Sequence, residues 1–255
     1  MRVSAVSYLN TWPLVWGFLY GPGRGIFDFQ FDLPARCADA LAAREVDIGL
    51  VPCAELDRLE MDFVPHLGIA CEGAVRSILL ISKVPFGEIR SLAADAGSRT
   101  SVALARMILE ARYGCSPEIH SRAPRVEEML REFDAALIIG DPALHLDPAA
   151  LPWRTLDLGA EWTAWTGLPM VFAVWAGRRE ALSGDVAAAF MASYQWGRER
   201  TGEIVDRAVA ERNLSADLVR KYLTHHIVYE LSERHLEGLD LFRQRARELE
   251  AAVRV

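Results

Sequence analysis

Apolar residues come in short runs that alternate with amphipathic stretches almost from the first position. Runs of about four to eight apolar or alternating residues read as strands, and apolar positions spaced three or four apart read as helices. On that basis residues 2–7 form a short strand, 11–20 a helix, 21–25 (GPGRG) a turn and 27–33 an alternating strand. Pro34 opens a helix through 43, because proline suits a first helical turn, and 47–51 is a compact buried strand.

The run VRSILLISKV at 75–84 is the most apolar strand candidate, and MVFAVWA at 170–176 is its later counterpart. Between them lies a self-contained set: helix 101–113, strand 118–121, helix 125–133 and strand 135–139. A block entered by one long strand and left by another predicts a second lobe, 83–174, inserted into a first lobe made of 1–82 and 175–255. After 178 the pattern turns helical, over 185–203, 216–225 and 232–253. Strands alternating with helices predict an α/β fold of two lobes with a hinged cleft and a helical C-terminal tail. Ligands in such sheets sit beyond the carboxyl ends of strands, so those ends are the places to look.

Composition narrows the partner. The 255 residues are 51% hydrophobic and 25% charged, and 28 basic side chains face 35 acidic ones for a net charge of −7. Binding nucleic acid needs a Lys/Arg surface to neutralise phosphates, so an acidic chain points to a small molecule instead. The start MRVSAVSYLN carries neither the apolar core nor the small-residue site of an export signal, and no run reaches the roughly 18 apolar residues of a membrane helix, so a cytoplasmic location is expected. Cys37, Cys53, Cys71 and Cys115 form no CxxC pair and read as buried thiols, with no zinc or dithiol motif.

Four strand or helix ends carry small polar residues. GSRTS at 97–101 precedes a long helical run, so Ser98, Thr100 and Ser101 and the free N–H groups would make a carboxylate-binding helix start, each contact being worth about 0.3–1 kcal/mol. On the motif alone, the commoner use of Ser98 or Thr100 in such a segment is simply to cap the helix. The run DAALIIGDPAL at 134–144 is a strand followed by Gly140 and Asp141, where backbone can approach a ligand; alternatively Asp141 is an N-cap with Pro142 at the first helical position. SYLN at 7–10 offers Tyr8 and Asn10, or merely a cap at Asn10. His225 and His226 are adjacent on a helical stretch and would share a metal poorly, and the other histidines lack ligand spacing. No metal site, GxSxG elbow, phosphate loop or dinucleotide fingerprint is present in the sequence. The tryptophans at 153, 162, 165 and 175 read as core.

Several separated segments carry a family resemblance: VSYLNTWPL at 6–14, VDIGLVPCAEL at 46–56, AVRSILLISKVP at 74–85, SRTSVALARMIL at 98–109, IIGDPAL at 138–144 and EWTAWTGLPMVFAVW at 161–175. In that order they resemble the menaquinone biosynthetic family of the futalosine route, and within it the chorismate dehydratases. The naphthoate synthases of the same route would show an Asn-Asp-Thr type of segment where this chain has SYLN. The resemblance implies a type II periplasmic-binding-protein-like fold and a cofactor-free loss of water from chorismate, giving 3-(1-carboxyvinyloxy)benzoate. Set against that reaction, the strand and helix ends read above place Asn10 and Ser77 on the reacting groups and Tyr8, Arg76, Ser98, Thr100, Ser101, Gly140 and Asp141 in substrate binding; Arg76 facing solvent is the alternative for that residue, and the proton acceptor is either the substrate's enolpyruvyl carboxylate or Asp141. A naphthoate synthase and a non-catalytic anion binder are the alternatives, and the oligomeric state is left open.

Overall fold

The computed structural model describes residues 1–95 and 97–253. Its strands are β1 (Arg2–Val6), β2 (Asp28–Asp32), β3 (Ile48–Pro52), β4 (Asp62–Cys71), β5 (Ile78–Ser82), β6 (Ser91–Asp95), β7 (Glu118–Arg122), β8 (Ala135–Ile139), β9 (Arg154–Asp157), β10 (Met170–Gly177) and β11 (Val228–Glu230). They form two sheets. One has the order β11-β4-β10-β3-β1-β2 and the other β7-β6-β8-β5-β9. In the first, β1 runs parallel to β2 and β3 while β10 runs antiparallel to β3 and β4. In the second, β6 is parallel to β7 and β8 while β5 is antiparallel to β8 and β9. Strands β3, β5, β8 and β10 are buried at every position, which explains their continuous apolar runs.

The chain passes between the sheets twice. The first passage is not the long strand that 75–84 suggests: only Ile78–Ser82 is strand. Arg76 takes a left-handed backbone (φ 67), and the N–H groups of Val75 and Arg76 bond to the Asp157 carboxylate at 2.9 and 2.6 Å instead of to a neighbouring strand. The return passes through the helix Leu158–Thr166, which Asp157 caps by accepting from the N–H groups of Gly159 and Ala160. One carboxylate therefore fastens both passages. Strand β10 runs along the first sheet for its whole length.

The C-terminal helices complete the first sheet's body. Helix Gly184–Glu199 packs on the helix Trp12–Tyr20 at close range, because a Cβ at Gly17 would lie only 2.6 Å from Ser193 Cα. Ser193 Oγ locks the contact, donating to Leu14 O and accepting from Phe18 N. Phe18, Phe27, Trp175 and Phe190 fill the space behind with ring centroids 4.6 to 5.3 Å apart. Each fully buried side chain of this size contributes about 1.5–3 kcal/mol. The helical run expected over 185–203 is broken at Arg200, beyond which Thr201–Arg212 starts a new helix, and Thr201 Oγ1 donates to Arg198 O at the break. The stretch 216–225 is likewise divided, into Ala216–Lys221 and a wide π-helical turn, Tyr222–His226.

Candidate active site

A cavity opens between the two sheets. It lies at carboxyl ends of parallel strands: Val6 closes β1 and Tyr8 follows it, Pro52 closes β3, Ser98 to Ser101 follow β6, and Gly140 follows β8. Seven of the nine residues singled out in the sequence line it, namely Tyr8, Asn10, Ser77, Ser98, Thr100, Ser101 and Gly140. Apolar walls come from Ile69, Val75, Ile78, Ile139 and Phe172.

The capping alternatives can be read against the geometry. Ser98 stands at the N-cap of the helix Arg99–Tyr113, yet its hydroxyl makes no capping bond, and Asn10 caps no helix either. Their polar groups are left for the cavity. Thr100 differs: its hydroxyl accepts from Ala54 N at 3.2 Å and donates to Phe172 O at 3.3 Å, so it ties the second sheet's helix to the first sheet's body. Arg99 lines the cavity but spends its guanidinium on Asp39 and Glu55, at 2.9 and 2.8 Å. The donors offered to a ligand are accordingly neutral hydroxyls, an amide and the helix-start N–H groups.

Two candidates lie outside the lining. The Arg76 guanidinium is turned away, donating to the carbonyls of Ala143, Leu144 and Leu146 just past Gly140. It holds a chain segment, and the expectation that it binds a carboxylate is corrected accordingly. Charge-assisted bonds of this kind contribute about 1.5–3 kcal/mol. Arg76→Ala is expected to destabilise the protein by about that amount while leaving KM within about threefold, read by urea denaturation alongside steady-state kinetics. Asp141 is the first residue of the short helix Asp141–Leu144, with Gly140 at the cap position. Its Oδ1 accepts from Leu9 N at 2.9 Å and its Oδ2 lies 3.4 Å from Arg212 Nε. Asp141 therefore joins the second sheet to the segment after β1.

Gly140 needs its lack of a side chain. Its backbone (φ 63, ψ −146) belongs to a region only glycine occupies freely, and an added Cβ would sit 2.6 Å from the Tyr8 ring. Its N–H donates to Ser77 O at 2.8 Å. Tyr8, Ser77 and Gly140 thus form one side of the cavity.

Sequence reasoning missed two residues here. Tyr222, in the π-helical turn, is fully buried, and its hydroxyl donates to Ser77 Oγ at 2.9 Å, with the Asn10 amide beside the same oxygen. Asp95, at the end of β6, is buried; its Oδ1 accepts from Gly97 N at 3.0 Å and its Oδ2 has no hydrogen-bond partner among the described residues. Burial raises the Asp95 pKa above the ordinary carboxylate range, and its charge in turn helps push up the Tyr8 phenol, which burial raises most. A carboxyl raised on folding contributes stability at acid pH that is lost as pH climbs through its folded pKa. Asp95→Asn, which keeps an oxygen for Gly97, is expected to melt above the parent at about pH 7, with the gap closing at about pH 4. Thermal scans at both values check it.

Among the described residues no three His, Cys, Asp or Glu side chains gather as a metal would require, and no helix is long and apolar enough to cross a membrane. The thiols of Cys37 and Cys53 are pushed up to about 12 by burial, so neither is a ready nucleophile.

Comparison with known proteins gives the family and the fold. A sequence model described as menaquinone biosynthesis matches residues 1–248. The chorismate dehydratase of Thermus thermophilus is 31% identical over 229 residues, covering 82% of this chain and 83% of that protein. The chorismate dehydratase of Campylobacter jejuni is 28% identical over 169 residues, 65% of this chain and 58% of that protein. Among solved structures, a protein from Archaeoglobus fulgidus superposes with a TM-score of 0.79 at 16% identity, covering 98% of this chain and 97% of its own. The periplasmic aliphatic sulphonate binding protein of Escherichia coli follows the same fold, with a TM-score of 0.68 at 13% identity over 100% of this chain and 88% of that one. The two sheets that enclose the cavity thus have a periplasmic-binding-protein-like fold, and the chain belongs to the menaquinone biosynthesis family.

Proposed function

We propose that this chain is a hydro-lyase that removes water from chorismate to give 3-(1-carboxyvinyloxy)benzoate. The observation that carries the reading is the convergence of Asn10, Ser77, Ser98 and Ser101 on one cavity with unspent polar groups, in a chain whose relatives are chorismate dehydratases. The reaction breaks the C3–H and C4–O bonds of the ring and forms a C3=C4 double bond, so the product is aromatic and the step runs downhill.

Chorismate carries two carboxylates, and the chain's net charge of −7 would repel them at long range. Screening confines such repulsion to about 8 Å at physiological salt, while donors inside a cleft act at contact distance. The start of the helix Arg99–Tyr113, with the Ser98 and Ser101 hydroxyls, suits one carboxylate. Asn10 and Ser77 then face the enolpyruvyl group and the departing C4 hydroxyl. Asp141 Oδ1 is engaged by Leu9 N, and among the described residues none that lines the cavity carries a carboxylate, which supports the substrate's own enolpyruvyl carboxylate as acceptor of the neighbouring C3 proton. The protein's part is orientation and exclusion of water as the inserted lobe 83–174 closes on the first, effects worth about 7–11 kcal/mol at best.

Incubating the purified protein with chorismate and following both its disappearance and the rise of an aromatic product tests the reading. Stoichiometric conversion is expected. Binding without consumption would overturn it in favour of an anion binder, and conversion of only a later intermediate of the route would favour a naphthoate synthase.

A further inference from the structure

We infer that Tyr222 is a positioning residue of the reaction, one that fixes the direction of the Ser77 hydroxyl and presents its proton to the cavity. The inference rests on the chorismate reading above.

The geometry leaves little choice. Ser77 is buried on the first passage between the sheets, and the Tyr222 hydroxyl donates to its Oγ at 2.9 Å from a position 145 residues away in sequence. A hydroxyl has one proton to give. With its oxygen already accepting from Tyr222, Ser77 has its own O–H free for another acceptor, and the open direction is the cavity that Ser77 lines. Burial pushes the Tyr222 phenol above its ordinary range, so it stays a donor throughout the neutral region. The Asn10 amide beside the same phenol extends the arrangement, and Asn10 Oδ1 is buried without a protein partner. Asn10, Tyr222 and Ser77 thus form a row of polar groups with an unspent atom at each end, Asn10 Oδ1 and the Ser77 proton. Hydrogen bonds in a row polarise one another, so a bond made by Ser77 is strengthened by the one it receives.

The fold supports this placement. Tyr222 begins the π-helical turn Tyr222–His226, where Ile227 N bonds back to Tyr222 O at 3.1 Å. Such wide turns are uncommon and often re-aim a side chain at a functional site. The same turn touches the passage again, through His226 Nδ1 and Ala74 O at 2.9 Å, so the segment carrying Ser77 is held at two points by the C-terminal tail.

Tyr222→Phe keeps the ring and removes only the hydroxyl. Its kcat on chorismate is expected to fall about 10- to 100-fold, the scale on which outer partners of catalytic groups act, with KM within about threefold and the melting temperature close to the parent's. In the Ser77→Ala background the same change should cost little more, because the group it orients is gone. Unchanged kcat in Tyr222→Phe, or equal losses in both backgrounds, would overturn the inference and leave Tyr222 a packing residue. Should Tyr222→Phe melt far below the parent, the Ser77→Ala cycle still decides, since a fold defect acts in both backgrounds. Failure of the parent itself to consume chorismate would instead sink the reading on which the inference rests.

Discussion

Gly140→Ala is expected to lower the melting temperature by about 5–15 °C and to abolish turnover of chorismate. Two costs combine. The backbone at φ 63, ψ −146 is one that an alanine occupies only at about 1–3 kcal/mol of strain. The new methyl would also meet Tyr8 ring atoms at 2.6 to 2.7 Å, and overpacking of that kind costs about 1–3 kcal/mol more. For a chain of this length each kcal/mol moves the midpoint by about 2–4 °C. The lost activity has a separate cause: the ring must leave the cavity wall or the loop must leave Ser77, whose carbonyl accepts the Gly140 N–H. Calorimetry paired with product formation reads both effects. A variant that melts with the parent and turns over normally would mean that Tyr8 and Gly140 do not pack together in solution.

Asn10→Ala should reduce kcat on chorismate by about 10²–10³-fold, as loss of a preorganised polar group at a reacting atom does, and raise KM by no more than about threefold. The split follows from where its oxygen stands. Asn10 Oδ1 is buried with no hydrogen-bond partner among the described residues, and Asn10 lines the cavity together with Ser77. Holding the reacting groups in line acts on the reaction more than on ground-state binding. Steady-state kinetics with a separate measurement of chorismate affinity by calorimetry would show the difference, and equal losses in both quantities would assign Asn10 to binding alone.

The parts of this architecture that were legible in the sequence are those whose pattern is local. Ala135–Ile139 is buried throughout and reads as a strand without help, and the small polar residues after it and after β1 mark the ends where the cavity lies. Strand β4 was not legible, because Pro65 and Gly68 interrupt it. Its pairing with β10 jumps from Phe63 to Gly68 while β10 moves only from Ala176 to Val174, so Pro65 and the left-handed His66 occupy an irregular stretch outside the ladder with β10. The short SLAAD run of β6 gave no apolar alternation, and with it Asp95 was passed over. Arg76 was misjudged for a different reason: sequence shows a charge but not that three carbonyls past Gly140 would consume it. Tyr222 left the faintest trace, a tyrosine within a helical tail, whose hydroxyl must find a partner once the face that bears it is buried.

The Asp157 carboxylate has a consequence for how the two passages move. By accepting from Val75 and Arg76 on one passage and from Gly159 and Ala160 on the other, it makes the two links between the sheets share a single axle. A displacement of either link would thereby be felt by the other, through a side chain bonded to Val75 of the cavity wall and to Arg76, the neighbour of Ser77.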